Sequence, residues 1–174
     1  GKIAIFTGCL LDFVYVDIAT DVVKALNMAG YIVEMPLGQA CCGAPATYMG
    51  DVENAKKAAE LNLNAMEAEK YDYIVSACPT CTHALRDYVD FFKDDPEMLK
   101  KAEELRSKTF DFCKLVSMLG GLPDTGDGVP MKVTYHDSCH LNRYLGVTKE
   151  QRELLKATKG VEPIEMHDCD KCCG

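Results

Sequence analysis

KIAIFTG, Lys2 to Gly8, is a short run rich in branched apolar residues that closes on a glycine, and Cys9 stands directly after it. Such a run reads as a buried strand. YIVEMPL at 31–37 and YDYIVSA at 71–77 are two more of the same kind. Between the first two, residues 17–28 carry Ile18, Val22, Ala25 and Leu26 at helical spacing, continued by Ala29, with Gly30 where a C-terminal cap is expected. Between the second and third, residues 51–69 form another helix, with Val52, Ala55, Ala59, Leu63 and Met66 on one face. Strands joined through helices need crossover connections, so the expected class is α/β with a Rossmann-like parallel sheet.

Downstream of Cys81 a helix is expected to about Phe92, and a longer helical segment from Asp95-Pro96 to Leu119. GGLPDTGDGVP, 120–130, is dense in Gly, Pro and Asp and reads as a linker. The same grammar then restarts: strand MKVTYH at 131–136, a helix near 148–158 whose Thr148 and Gln151 fit a capping box, and strand VEPIEM at 161–166. FTGCLL (6–11) answers HDSCHL (136–141), AGYIVEMP (29–36) answers KGVEPIEMH (159–167), and QACCG (39–43) answers DKCCG (170–174). The expected organisation is therefore a pseudo-duplicated βαβ module. Residues 1–119 form a first unit with a complete cysteine motif, 120–130 a linker, and 131–174 the start of a second, truncated copy.

Composition narrows the function. With 174 residues, 48% of them apolar, and no apolar run near 18 residues, the chain can bury a core without spanning a membrane. A net charge of -8 argues against a nucleic-acid surface, which needs clustered Lys and Arg. The opening GKIAIFTGC carries no secretory signal, so the expected location is cytoplasmic, with peripheral attachment to the cytoplasmic membrane face compatible. Ten cysteines in such a compartment point to metal or redox work rather than a disulfide scaffold.

Five of those cysteines follow the three strands of the first unit: Cys9, the pair Cys41-Cys42, and Cys78 with Cys81. In a parallel sheet all carboxyl ends lie along one edge, so these five are expected at one place. Neighbours on a regular strand face opposite ways, so Cys41 and Cys42 can share a site only if the chain turns there, which Gly43 permits. Cys78-x-x-Cys81 opens a helix with Pro79 in its first turn, and a helix N-terminus favours the thiolate. Five thiolates exceed the four that a tetrahedral zinc uses and suit a cluster of several irons. Zinc and reversible disulfide chemistry are the alternatives.

Other residues carry less. Cys113, among Phe110, Phe112 and Val116, reads as a small core residue, and Cys169 as a spare thiol or a partner for Cys172. His136 and His140 flank Cys139, and His83 follows Cys81; each either tunes a bound metal group or is structural. No Ser-His-Asp order and no phosphate-binding loop can be argued, and catalytic residues are not assignable.

Cys9, Cys41-Cys42-Gly43 and Cys78-Pro79-Thr80-Cys81, followed by YHDSCH and a second CCG, resemble the cysteine-rich CCG domain family. That family includes the CCG-containing subunit of heterodisulfide reductase, the iron–sulfur subunits of glycolate oxidase and anaerobic glycerol-3-phosphate dehydrogenase, and the lactate-utilisation iron–sulfur proteins. TYHDSCHLNRYLG and RELLKATKGVEPIEM are nearest to the glycolate, lactate and glycerol-3-phosphate group. The resemblance implies a non-cubane 4Fe-4S cluster on Cys9, Cys41, Cys42, Cys78 and Cys81. It further implies an electron-transfer module of an oxidoreductase, in which a partner flavoprotein oxidises the substrate and a quinone, thiol or disulfide accepts the electrons. A ferredoxin-like iron–sulfur subunit or domain would be a second partner, because the ferredoxin cysteine run is not in this chain. Cys139, Cys172 and Cys173 form a second candidate site with no C-x-x-C after it.

Overall fold

The computed structural model describes residues 1–124, 126 and 128–172, which divide into two compact units, residues 1–112 and 113–174. In the first, β1 (Lys2–Ile5), β2 (Ile32–Glu34), β3 (Tyr73–Ser76) and β4 (Thr109–Asp111) form one sheet in the order β2-β1-β3-β4. All three pairings are parallel, with Lys2 opposite Ile32, Ile3 opposite Tyr73 and Ile74 opposite Thr109. The central strands are buried at Ile3, Ala4, Ile5, Ile74, Val75 and Ser76, as expected where helices cover both faces of a sheet. The class expected from the sequence, a Rossmann-like parallel α/β arrangement, is the one observed.

The connections are helical. Gly8 begins α1 (Gly8–Phe13), and α2 (Val16–Met28) returns the chain to β2. α2 ends where Gly30 takes φ +88, letting Tyr31 N–H reach back to the Leu26 carbonyl at 3.1 Å. Beyond β2 come α3 (Ala44–Tyr48) and α4 (Val52–Met66), the latter capped by Asp51, whose carboxylate accepts from Asn54 N–H. α5 (Pro79–Asp87) follows β3, a 3-10 turn at Tyr88–Phe91 extends it, and α6 (Pro96–Lys108) leads to β4. The core packs Phe6, Leu63, Met66, Leu85, Tyr88, Phe92 and Leu105 together and includes Cys42 and Cys81.

Several local expectations are corrected. The helix expected from 95 to 119 is interrupted by β4, because Thr109 and Asp111 bury themselves beside β3 and Thr109 Oγ1 closes the preceding turn by donating to Leu105 O at 2.6 Å. A three-residue strand is too short to announce itself by periodicity. Ile18 and Val52, assigned to buried helix faces, are 47% and 56% exposed, while Ala19 takes the inward position on α2.

In the second unit α7 (Phe112–Met118), which begins at the boundary, precedes β5 (Met131–Val133), α8 (Glu150–Ala157) and β6 (Val161–Pro163). β5 and β6 are parallel, with Met131 opposite Val161. That offset of 30 residues equals the offset from Lys2 to Ile32, and Gly160 precedes β6 at φ +77 as Gly30 precedes β2. The capping box expected at Thr148 and Gln151 does not form. The Glu150 carboxylate instead accepts from Thr148 and Lys149 N–H and pairs with Lys114, and Gln151 Nε2 donates to Val147 O.

Candidate functional site

Three loops at the carboxyl ends of β1, β2 and β3 supply the thiols. Gln39 ties the first two: its Nε2 donates to Ile5 O at 2.9 Å and Pro36 O at 3.0 Å, and its Oε1 accepts from Thr7 N–H. Gly8 then turns with φ +58, and a Cβ there would lie 3.0 Å from Cys81 Sγ and 3.2 Å from the Phe6 ring. Only glycine lets the backbone pass so close to the thiol. The adjacent cysteines turn as the shared site requires, since Gly43 takes φ +82 and starts α3. Asn62 and Tyr88, both buried, hydrogen-bond to residues 40–42 from the core side. Cys78 is the residue before α5, with Pro79 at its first position and Thr82 N–H and hydroxyl both bonded to the Cys78 carbonyl.

The five thiols meet. Cys9 neighbours Cys41, Cys41 neighbours Cys42, Cys42 neighbours Cys81, and Cys81 neighbours Cys78, each pair close enough to shift the other's ionisation. Cys42 and Cys81 are buried, Cys41 and Cys78 half-buried, and Cys9 is exposed at the open end of the row. Among the described residues no three His, Cys, Asp or Glu side chains are drawn up as the donor shell of one metal ion. The sulfurs form a row of pairwise contacts instead.

Their protonation is uneven. The Cys81 thiol is pushed up by its neighbours Cys42 and Cys78 and by burial, while the pKa values of those two neighbours fall. Cys42 is lowered to about 7 by the Cys81 thiol, against the opposing effect of burial, with help from Ala44 N–H. Cys78 is lowered to about 6, first by Cys81 and then by the N–H groups of Cys81 and Thr80 at the start of α5 and the Thr80 hydroxyl. Burial pushes Cys41 up. The row therefore sets two sulfurs lowered towards the thiolate, Cys42 and Cys78, beside one held protonated, Cys81.

The remaining candidates lie elsewhere. His83 pairs with Asp87 at 2.9 Å along α5. In the second unit Cys139 stands just before a π-helical turn, His140–Tyr144, and Cys172 is exposed, while Cys173 lies outside the described residues. The loops after β5 and β6 are tied by Asp137 N–H to Cys169 O at 2.8 Å and by His136 Nε2 with Lys171 O at 2.7 Å. Cys169 is a free thiol, its pKa raised by partial burial and by the neighbouring Glu165 and Asp137 carboxylates. Those carboxylates are themselves gripped by Arg152. Cys113 is half-buried.

Sequence reasoning missed Gly8, Gln39, Asn62 and Tyr88. Asn62 had a legible signal: it sits at helical spacing with Ala55, Ala59 and Met66, a polar residue on an apolar stripe.

Fold and site together define a parallel α/β protein with a thiol-rich centre at the carboxyl edge of its sheet. The pattern of the cysteine-rich CCG domain family matches residues 3–86 and 133–174, and the chain belongs to that family. It is similar to the lactate utilization protein A of Bacillus velezensis and to that of Bacillus subtilis, each 36% identical over 99% of this chain and 72% of the relative. The protein of that name from Oceanobacillus iheyensis is 32% identical over 99% of this chain and 70% of its own length. Among the described residues no helix is long and apolar enough to cross a membrane.

Proposed function

We propose that the chain is an iron–sulfur redox module of an oxidoreductase in lactate utilisation, with its cluster held by Cys9, Cys41, Cys42, Cys78 and Cys81. The observation that carries this reading is the single row of five thiols gathered from three strand ends, with Cys42 and Cys78 lowered towards the thiolate. The donor set fits such a group: it is sulfur only, and it has more members than one tetrahedral ion binds. A bound cluster would supply one-electron chemistry. The chain's own part is to hold the sulfurs in register, to keep Cys42 and Cys81 away from water, and to release the Cys81 proton as metal takes its place.

A flavoprotein subunit and a ferredoxin-like iron–sulfur subunit or domain complete this reading as electron donor and relay, in the cytoplasm. Residues 131–174 are read as a second copy of the strand-helix-strand front, with Cys139 standing for Cys9 and Cys172-Cys173 for Cys41-Cys42, and 120–130 as the linker after a first unit of 1–119. The equal strand offsets support this.

Purification without oxygen tests the function. A brown protein with sulfur-to-iron charge-transfer absorption and a paramagnetic signal on reduction is expected. A colourless protein that keeps one zinc per chain through anaerobic iron and sulfide supply overturns it.

A further inference from the structure

Asn62 on α4 and Tyr88 just after α5 are 0% and 1% exposed, surrounded by apolar core. A buried amide or phenol is costly unless its polar atoms are satisfied. Here they are satisfied almost wholly by three consecutive residues. Ala40 N–H donates to Asn62 Oδ1 at 2.8 Å, and Asn62 Nδ2 donates to Cys41 O at 3.0 Å. The second Asn62 Nδ2 hydrogen goes to the Tyr88 hydroxyl at 3.0 Å, which donates in turn to Cys42 O at 2.9 Å.

In an extended strand successive carbonyls point to opposite sides. Those of Cys41 and Cys42 instead converge on two donor atoms 3.0 Å apart, so the chain is folded over between them. We infer that Asn62 and Tyr88 are positioning residues that set this bend and thereby bring the Cys42 thiol against Cys81. Gly43 permits the turn, and the amide and phenol select which turn is made. The bend is a property of the metal-free chain; its consequence for a cluster rests on the iron–sulfur reading above.

The test uses the reduced, metal-free 174-residue chain and dibromobimane, which cross-links two neighbouring thiols, with the products located by peptide mapping. Cys42–Cys81 and Cys78–Cys81 cross-links share one sulfur, so their ratio reports the position of Cys42 and cancels general reactivity. Tyr88→Phe is expected to lower that ratio about fivefold, the size that loss of one buried hydrogen bond carries. Asn62→Leu should lower it further. Leu105→Ala, in the same core but on α6, should reduce the melting temperature and leave the ratio unchanged. A ratio in Tyr88→Phe equal to that of the unsubstituted chain overturns the proposal. Iron uptake by the unsubstituted chain is read separately, so loss of the cofactor reading leaves the positioning result standing.

Discussion

Replacing Gly8 by alanine places a methyl group in the narrowest passage of the site. The residue holds φ +58, where an L side chain costs about 1–2 kcal/mol. The new Cβ would also stand 3.0 Å from Cys81 Sγ and 3.2 Å from Phe6, which is 0% exposed and has nowhere to go. The thiol must yield, and an off-rotamer cysteine adds roughly 0.5–1.5 kcal/mol. Together these give a loss on the order of 2–3 kcal/mol. Gly30→Ala is the natural reference, because Gly30 has φ +88 but nothing within 4 Å of an added Cβ, so it carries the backbone strain alone. Urea unfolding of the reduced metal-free chain, followed by circular dichroism, should show Gly8→Ala as the more damaging by about 1 kcal/mol. Moving Cys81 should also raise the Cys78 pKa, since the neighbouring Cys81 thiol is the largest influence lowering it. Equal losses for the two variants would refute the close packing of Gly8 on the thiol row.

Alkylation of the metal-free chain by iodoacetamide, mapped by peptide, should modify Cys78 before Cys81, with the Cys78 rate rising as pH passes about 6; Thr80→Val should shift that rise upward. The second unit carries a different pH signature. Glu165, lowered to about 2 by Arg152, contributes stability that is fully present above the ordinary carboxylate pKa near 4.5 and is lost as pH falls from there towards 2. Acid unfolding read by hydrogen exchange in 131–172 should show this, and Arg152→Gln should flatten it. Asp95→Ala removes the side chain that accepts from Met98 N–H at the start of α6 and should cost about 1 kcal/mol in the same urea assay.

The parallel sheet was legible because β1, β2 and β3 each form a short apolar run, and the two helices between them carry apolar faces of the right length. The placing of Cys9, Cys41-Cys42 and Cys78-Cys81 after the carboxyl ends of β1, β2 and β3 followed from chain direction alone, since every strand of such a sheet ends on the same edge. β4 was hidden because Thr109 and Asp111 become strand residues only through the open edge of β3, a tertiary opportunity with no local period. The Thr148 capping box failed for a related reason: Glu150 takes the Thr148 N–H that Gln151 would have accepted, and has Lys114 to hold it. The bend at Cys41-Cys42 was foreseen at Gly43, but its fixing by Asn62 and Tyr88 was not, because those partners stand 21 and 46 residues away in sequence.

Iron counting after anaerobic reconstitution with iron and sulfide tests the central claim most directly. The row of five thiols should take up about four iron atoms per chain. Cys42→Ser, at the buried middle of the row, should abolish most of that uptake, whereas Cys172→Ser, exposed in the second unit, should leave it nearly whole. A chain that binds no iron, or one in which Cys172→Ser loses as much as Cys42→Ser, would contradict the assignment of the cluster to the first unit.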